Sequence, residues 1–182
     1  MRVGPLGDRW LVDCEKLGSD DYSRLHPTPN VPTLRIGDDV GHSPCWYTFT
    51  VLDAAALSPC CRLLVVLDGW HYREPMLLAD ARRVLVVTPQ WLAQVDPANR
   101  RLVWEHTPGW PAVYAAWLLD NGETLYVGEL GAARLDASGK ALWQHNAGEV
   151  IVEFRRENGS LHLKDFAGAS TSVDETTGGA SS

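Results

Sequence analysis

Histidine, cysteine and carboxylate side chains carry most protein chemistry, and a few of them are suggestively spaced in this sequence. His42 and Cys45 lie three apart and Cys60-Cys61 follow fifteen residues on, which supplies four soft ligands of the kind that holds zinc. Structural zinc sites use a Cys-x2–4-Cys knuckle, however, and adjacent cysteines rarely reach one ion together. These cysteines read instead as small buried hydrophobes beside a strand at 62–67, and the sequence predicts no metal. His106 and His145 each follow a tryptophan at the same interval, as Trp104-Glu105-His106 and Trp143-Gln144-His145, a recurrence that points to structure rather than catalysis. The sequence has no Gly-x-Ser-x-Gly elbow, phosphate loop, His-Glu-x-x-His, dinucleotide fingerprint or Asp-x-Asp-x-Asp calcium loop. No enzyme and no cofactor are expected.

The remaining candidates are for binding. Asp68-Gly69-Trp70-His71-Tyr72-Arg73-Glu74 is the densest mixture of aromatic and titratable groups, and Trp, Tyr and Arg dominate interface hot spots. Trp110 sits in Thr107-Pro108-Gly109-Trp110-Pro111, an extended rigid loop able to present an aromatic ring. Asp20, Asp21, Asp38 and Asp39 bracket a long loop and would form an acidic face. Trp70, His71, Tyr72, Arg73, Trp110 and these four aspartates are the expected partner-binding residues. The competing reading makes the 68–74 segment a tight hairpin, Trp110 ordinary packing and the aspartates solvated loop carboxylates.

The elements that must position these residues emerge from self-comparison. Displaced by about 40 residues, 77–96 matches 117–136: Leu78 falls on Leu118, Asp80 on Asp120, Leu85 on Leu125, Val87 on Val127 and Asp96 on Asp136. Trp104 then falls on Trp143 after a slip of one, and a partial third copy runs through Asn158-Gly159, Leu161, Leu163 and Val173-Asp174. Short β-branched runs separated by turn residues predict strands. Asn121-Gly122 and Asn158-Gly159 are each suited to a type I′ hairpin, which needs φ > 0 at both central residues. The closing Asp-x-x-x-Gly pieces form a second turn class, the carboxylate accepting from backbone amides.

The run Leu125–Trp143, with Leu135-Asp136-Ala137-Ser138-Gly139-Lys140-Ala141-Leu142-Trp143 at its end, resembles the blade repeat of quinoprotein-type (PQQ-like) β-propellers. The resemblance extends over roughly residues 84–178. It is best at 124–143, fair at 84–104 and partial at 160–178, where the tryptophan is missing. It implies a Trp packed between blades and an Asp-Gly turn bracing the outer strands, a scaffold shared by enzymes, assembly factors and adaptors. Quinoprotein enzymes also need stacking residues, a calcium carboxylate pair and a full ring, and Cys60-Cys61 fall outside the matched repeats.

The expected fold is therefore all-β: blade-like antiparallel sheets of about 40 residues each, forming a small or incomplete β-propeller. One such domain spans 1–182, with strands near 7–13, 46–53 and 62–68, a long proline-containing loop at 19–43 and a polar tail frayed over 175–182. The chain carries 16 basic and 23 acidic residues, a formal charge of −7, and no basic stripe, which argues against nucleic acid. No apolar run is long enough to cross a bilayer and no secretory h-region opens the sequence, so a cytoplasmic protein with reduced thiols is expected. These features suit a non-catalytic module that binds another protein, most concretely an acidic bacterial inhibitor or immunity-type protein neutralising a basic toxin domain. The alternatives are a degenerate or truncated scaffold piece of a larger propeller assembly and, behind it, a zinc-dependent or quinoprotein-like enzyme.

Overall fold

The computed structural model describes residues 2–17, 31–37, 45–67 and 73–181, and among these every regular element is a β-strand. They fall into two compact units, Met1–Glu105 and His106–Ser182, where the sequence predicts one domain. In the first unit, β1 (Arg2–Leu6), β2 (Trp10–Leu17), β3 (Thr33–Ile36), β4 (Cys45–Asp53) and β5 (Ser58–Leu67) form a sheet ordered β1-β2-β4-β5-β3. Its pairs are antiparallel except β3, which runs parallel to β5 with Leu34 opposite Leu63 and Ile36 opposite Val65. This strand corrects the expected loop at 19–43. Leu34 and Ile36 reach the core, and burying them offsets the entropy of ordering a short segment. Residues 19–30 and 38–43 of that loop lie outside the described residues.

A second sheet of the first unit comprises β6 (Met76–Ala79), β7 (Val84–Val87), β8 (Leu92–Asp96) and β9 (Arg101–His106), in that order. The last residue of β9 opens the second unit. Strand alternation points Val12, Tyr47, Phe49, Val51, Cys61, Leu63 and Val65 to one face, where they meet Val84, Val86, Ala93 and Val95. Trp10 closes this core at its edge: its indole N–H donates to the Asp80 carbonyl at 2.9 Å, and the Arg9 guanidinium lies 4.5 Å from its ring centre.

The second unit stacks two four-stranded sheets. One is β10 (Val113–Leu118), β11 (Thr124–Gly128), β12 (Gly131–Leu135) and β13 (Ala141–Asn146). The other is β14 (Ile151–Glu157), β15 (Ser160–Asp165), β16 (Ser170–Asp174) and β17 (Ala180–Ser181). Leu125, Val127 and Ala132 of the first sheet bury against Ile151, Leu161, Leu163 and Val173 of the second. The repeat tryptophans, Trp104 and Trp143, take equivalent places on β9 and β13. The tail is ordered rather than frayed over 175–181. Ala180 pairs with Val173 and Ser181 with Ser172, because the turn at Asp174 is closed by the Thr177 amide and hydroxyl, which both donate to the Asp174 carboxylate, and Glu175 is buried beside Arg156.

Turns headed by aspartate join many of the strands. Asp53 Oδ1 accepts from the Ala55 and Ala56 amides, Asp136 Oδ1 from Ser138 and Lys140, and Asp174 Oδ1 from Thr176 and Thr177. Each such turn needs a left-handed residue near its end, supplied by Gly139 and Gly178 but by Leu57 in the first unit, at φ 50°. Leu57 is 69% exposed, so its side chain contributes little packing to set against the strain of a Cβ at positive φ. Leu57→Gly is expected to stabilise the protein by about 0.5–1 kcal/mol, read as a higher urea midpoint; a lower midpoint would contradict this turn geometry. The two Asn-Gly turns differ. Asn158 and Gly159 both have positive φ, as a type I′ turn requires, whereas only Gly122 does in the other. There the Leu119 amide donates to the Glu123 carbonyl at 2.9 Å, so the loop holds three residues and closes through a glycine bulge.

The turn bonds also set an acid limit. The Ala56 amide holds the Asp53 carboxyl below its ordinary range, the Ser138 hydroxyl does so for Asp136, and the Thr177 amide for Asp174. A carboxyl more acidic when folded than when unfolded stabilises the fold above its unfolded pKa, and that contribution is lost as pH falls through the folded value. The urea midpoint is therefore expected to hold above about pH 4 and to drop below it, and Asp136→Asn should shrink that drop. A midpoint unchanged from pH 5 to 3 would refute the role of these turns.

Candidate functional site

Of the expected partner-binding residues, Asp20, Asp21, Asp38, Asp39, Trp70, His71 and Tyr72 lie outside the described residues. Arg73 is described and exposed, just before β6. Trp110 is described and overturns its expectation: it is 8% exposed and part of the core of the second unit, not a ring offered to a partner.

The cause lies in two glycines at the hairpin between β11 and β12. Gly128 and Gly131 pair across it, and a Cβ on Gly128 would come within 2.6 Å of the Trp110 ring, one on Gly131 within 2.8 Å. The glycines leave a slot that the indole fills. Its N–H donates to Asn146 Oδ1 at 3.2 Å, which also accepts from Gln144 at 2.9 Å. Its ring meets Tyr126 at 5.6 Å between centres, tilted by 57°, a favourable aromatic geometry. Tyr126 in turn shares a 3.0 Å hydrogen bond between its hydroxyl and His106 Nε2. Burial lowers the His106 pKa and pushes the Tyr126 phenol up to about 12. Both groups are thus neutral at pH 7, and the arrangement locks the proline-flanked loop onto its sheet. A pair of strand glycines three apart was the available sequence signal, because such glycines mark close approach of another group.

The other described tryptophans are structural as well. Trp10, Trp46, Trp91 and Trp104 are buried, and Trp117 and Trp143 pack against the core of the second unit. Trp91 covers Gly37, whose φ is +84° and where a Cβ would lie 3.1 Å from the indole. Among the cysteines, Cys60 and Cys61 fall inside β5 at a bulge, where Val51 pairs with Cys61 and Leu52 with Pro59. Cys61 points into the core, and burial pushes its thiol up to about 12, far from a reactive thiolate. His42 lies outside the described residues. Among the described residues, no three His, Cys, Asp or Glu side chains come together to hold an ion, and no helix is long and apolar enough to cross a membrane.

A series of blade-like antiparallel sheets with no helix among the described residues places the chain in the all-β class of small or incomplete β-propellers. Two solved structures, BamB and Ika8, agree on the fold. BamB from Moraxella catarrhalis is 17% identical over 82% of this chain and 51% of its own, with a TM-score of 0.50. The computationally designed Ika8 protein is 16% identical over 81% of this chain and 50% of its own, with a TM-score of 0.51. The WD40 β-propeller domain of Doa1 follows at 15% identity over 75% of this chain and 49% of its own, with a TM-score of 0.46. The chain spans about half the length of each. At such identities the likeness is one of fold alone. No protein-family model matches the sequence, and no curated protein does either.

Proposed function

We propose that this protein is a non-catalytic binding module that uses its blade-like sheets as a rigid frame for protein recognition. The observation carrying the reading is that the conspicuous chemistry of the sequence is spent on structure. Trp110 and the His106–Tyr126 pair are packing groups, Cys61 is inert in the core, and the acidic turn residues hold backbone amides. The propeller-like fold suits a protein-binding or scaffold role. In its sharper form, the proposal is a bacterial cytoplasmic inhibitor of immunity type whose partner is a basic protein domain. A charge of −7 supports it, since complementary charge steers association. Asp20, Asp21, Asp38, Asp39, Trp70, His71, Tyr72 and Arg73 are the residues assigned to the contact, and neither metal nor cofactor is assigned a part.

Affinity capture from the native cell tests this. One specific protein is expected, its association slowing as salt rises and its capture lost when the four aspartates become asparagine. Recovery of RNA, or of no specific protein, would refute the reading. A second reading, a scaffold piece of a larger propeller assembly, is favoured by the half-length match to BamB and Ika8. It predicts capture of propeller subunits rather than of a basic domain.

A further inference from the structure

We propose that four connections of the second unit form a docking surface for a basic protein. Phe166 is its apolar anchor, and a cavity beside Asp165 takes an arginine or lysine side chain of the partner. This rests on the reading of a basic partner and adds a contact separate from the residues assigned above. Backbone bonds of 2.8 Å tie the connections together: the Glu129 amide donates to the Ala112 carbonyl, Ala147 to Leu130, Ile151 to Glu129 and Phe166 to Val150. Residues 107–112, 129–130, 147–150 and 166–169 thus make one surface, and it contains no lysine or arginine. Glu129 and Glu149 stand on it and Asp165 borders it, none of them in an ion pair among the described residues. The bases of the adjoining sheet are already answered, Lys164 by Glu153 at 3.6 Å and Arg155 by Glu157 at 3.8 Å. Complementary charge therefore selects a cationic partner.

Phe166 is 80% exposed, and the turn that carries it closes without its ring. The Asp165 amide donates to the Ala169 carbonyl and the Gly168 amide to the Asp165 carbonyl, each at 3.0 Å. Asp165 Oδ1 accepts from the Ala169 amide at 2.8 Å. The bond from Phe166 to Val150 sets those two residues side by side, and Val152, 55% exposed, follows at the bulge of β14. An aromatic ring beside two valines and bordered by carboxylates has the composition of an interface centre with its polar rim. Next to this strip lies a cavity of about 130 Å³, lined by Asn146, Gly148, Ile151, Asp165, Ala169 and Thr171. Ile151 supplies an apolar wall, and Asp165 a carboxylate that the Ala169 amide holds in place. Together they suit the apolar stem and cationic head of arginine or lysine.

Titration of the full chain with the end-blocked tripeptide Leu-Arg-Leu, followed by nuclear magnetic resonance, tests the assignment. Saturable shifts are expected at the amides of Gly148, Phe166, Gly168 and Ala169. Affinity should fall at least about tenfold on Asp165→Asn, on Phe166→Ser, and when neutral citrulline replaces the arginine. Both variants should fold, because an asparagine keeps the oxygen that accepts from Ala169 and the Phe166 ring takes no part in the turn. Shifts scattered over the chain, no saturation by about 10 mM, or equal affinity for the citrulline peptide would overturn the site. With a defined peptide this result does not depend on whether affinity capture recovers a basic protein. Capture of such a protein with undiminished affinity by Phe166→Ser and by Asp165→Asn would leave the basic partner standing and remove this surface.

Discussion

Gly131→Ala is expected to destabilise the second unit by about 3 kcal/mol or more, whereas Gly148→Ala should be neutral or slightly stabilising. The contrast rests on what a methyl group would meet. At Gly131 the new carbon would sit 2.0 Å from the His145 carbonyl oxygen and 2.8 Å from the Trp110 ring, while at Gly148 nothing lies within 4 Å. A clash with a flexible side chain can be relieved by rotation, but one with a backbone carbonyl requires β12 and β13 to move apart. The pairs at stake are Gly131 with Asn146 and Ala132 with His145, and Ala132 belongs to the core that joins the two sheets. Moving β13 also shifts Asn146, the acceptor for the Trp110 indole, so the slot and the ring that fills it are lost together. Urea unfolding followed by tryptophan fluorescence measures this directly. Equal midpoints for the two variants would mean that the His145 carbonyl and the Trp110 ring do not close on Gly131.

That slot marks a limit of what could be read in the sequence. The repeat, the Asp-headed turns and the equivalent places of Trp104 and Trp143 were legible because each depends on residues close in the chain: an alternating run, a turn residue, a local carboxylate. Trp110 depends on glycines about twenty residues further on, and its flanking prolines describe the loop without saying where it docks. β3 was missed for a related reason. It pairs in parallel with Arg62–Val65, so no hairpin turn announces it, and four residues are too few for alternation to stand out. The Asn121-Gly122 turn shows the opposite failure, a strong local signal for a two-residue turn that the pairing of Leu119 with Glu123 turned into a three-residue one. At the candidate site the sequence singled out aromatic and acidic residues by type. Type does not distinguish a ring offered to a partner from one that fills a cavity, because both need a large amphipathic side chain held rigidly.

The tail supplies the second large effect. Glu175→Ala is expected to cost about 2–3 kcal/mol, and to release β17 before the rest of the unit unfolds. Sequence composition alone, with Thr176, Thr177, Gly178 and Gly179 in a row, predicts fraying there, so a specific interaction must hold the segment. The Glu175 side chain is 8% exposed, and its carboxylate accepts from Arg156 Nε at 2.7 Å and Nη2 at 2.9 Å, a bidentate pair. Its backbone carbonyl accepts from Arg134 Nη1 at 2.7 Å and from the Trp143 indole at 3.0 Å, while Arg134 also pairs with Glu123. One residue thus ties the end of β16 to β12, β13 and β14. Removing one partner of a fully buried pair costs about 3–5 kcal/mol, but the Arg156 side chain is partly exposed and can turn to water, which lowers the cost. The carbonyl contacts survive the substitution only while the turn keeps its shape, so amide exchange at Ala180 and Ser181 should accelerate more than exchange in β15. Arg156→Ala combined with Glu175→Ala should cost clearly less than the sum of the two, because the carboxylate and guanidinium act as a unit. Arg155→Ala, one residue away on the solvated face, should change stability by less than about 0.5 kcal/mol. If Glu175→Ala and Arg155→Ala proved equally mild, the tail would be held by its backbone pairing alone and the buried pair would have no part in it.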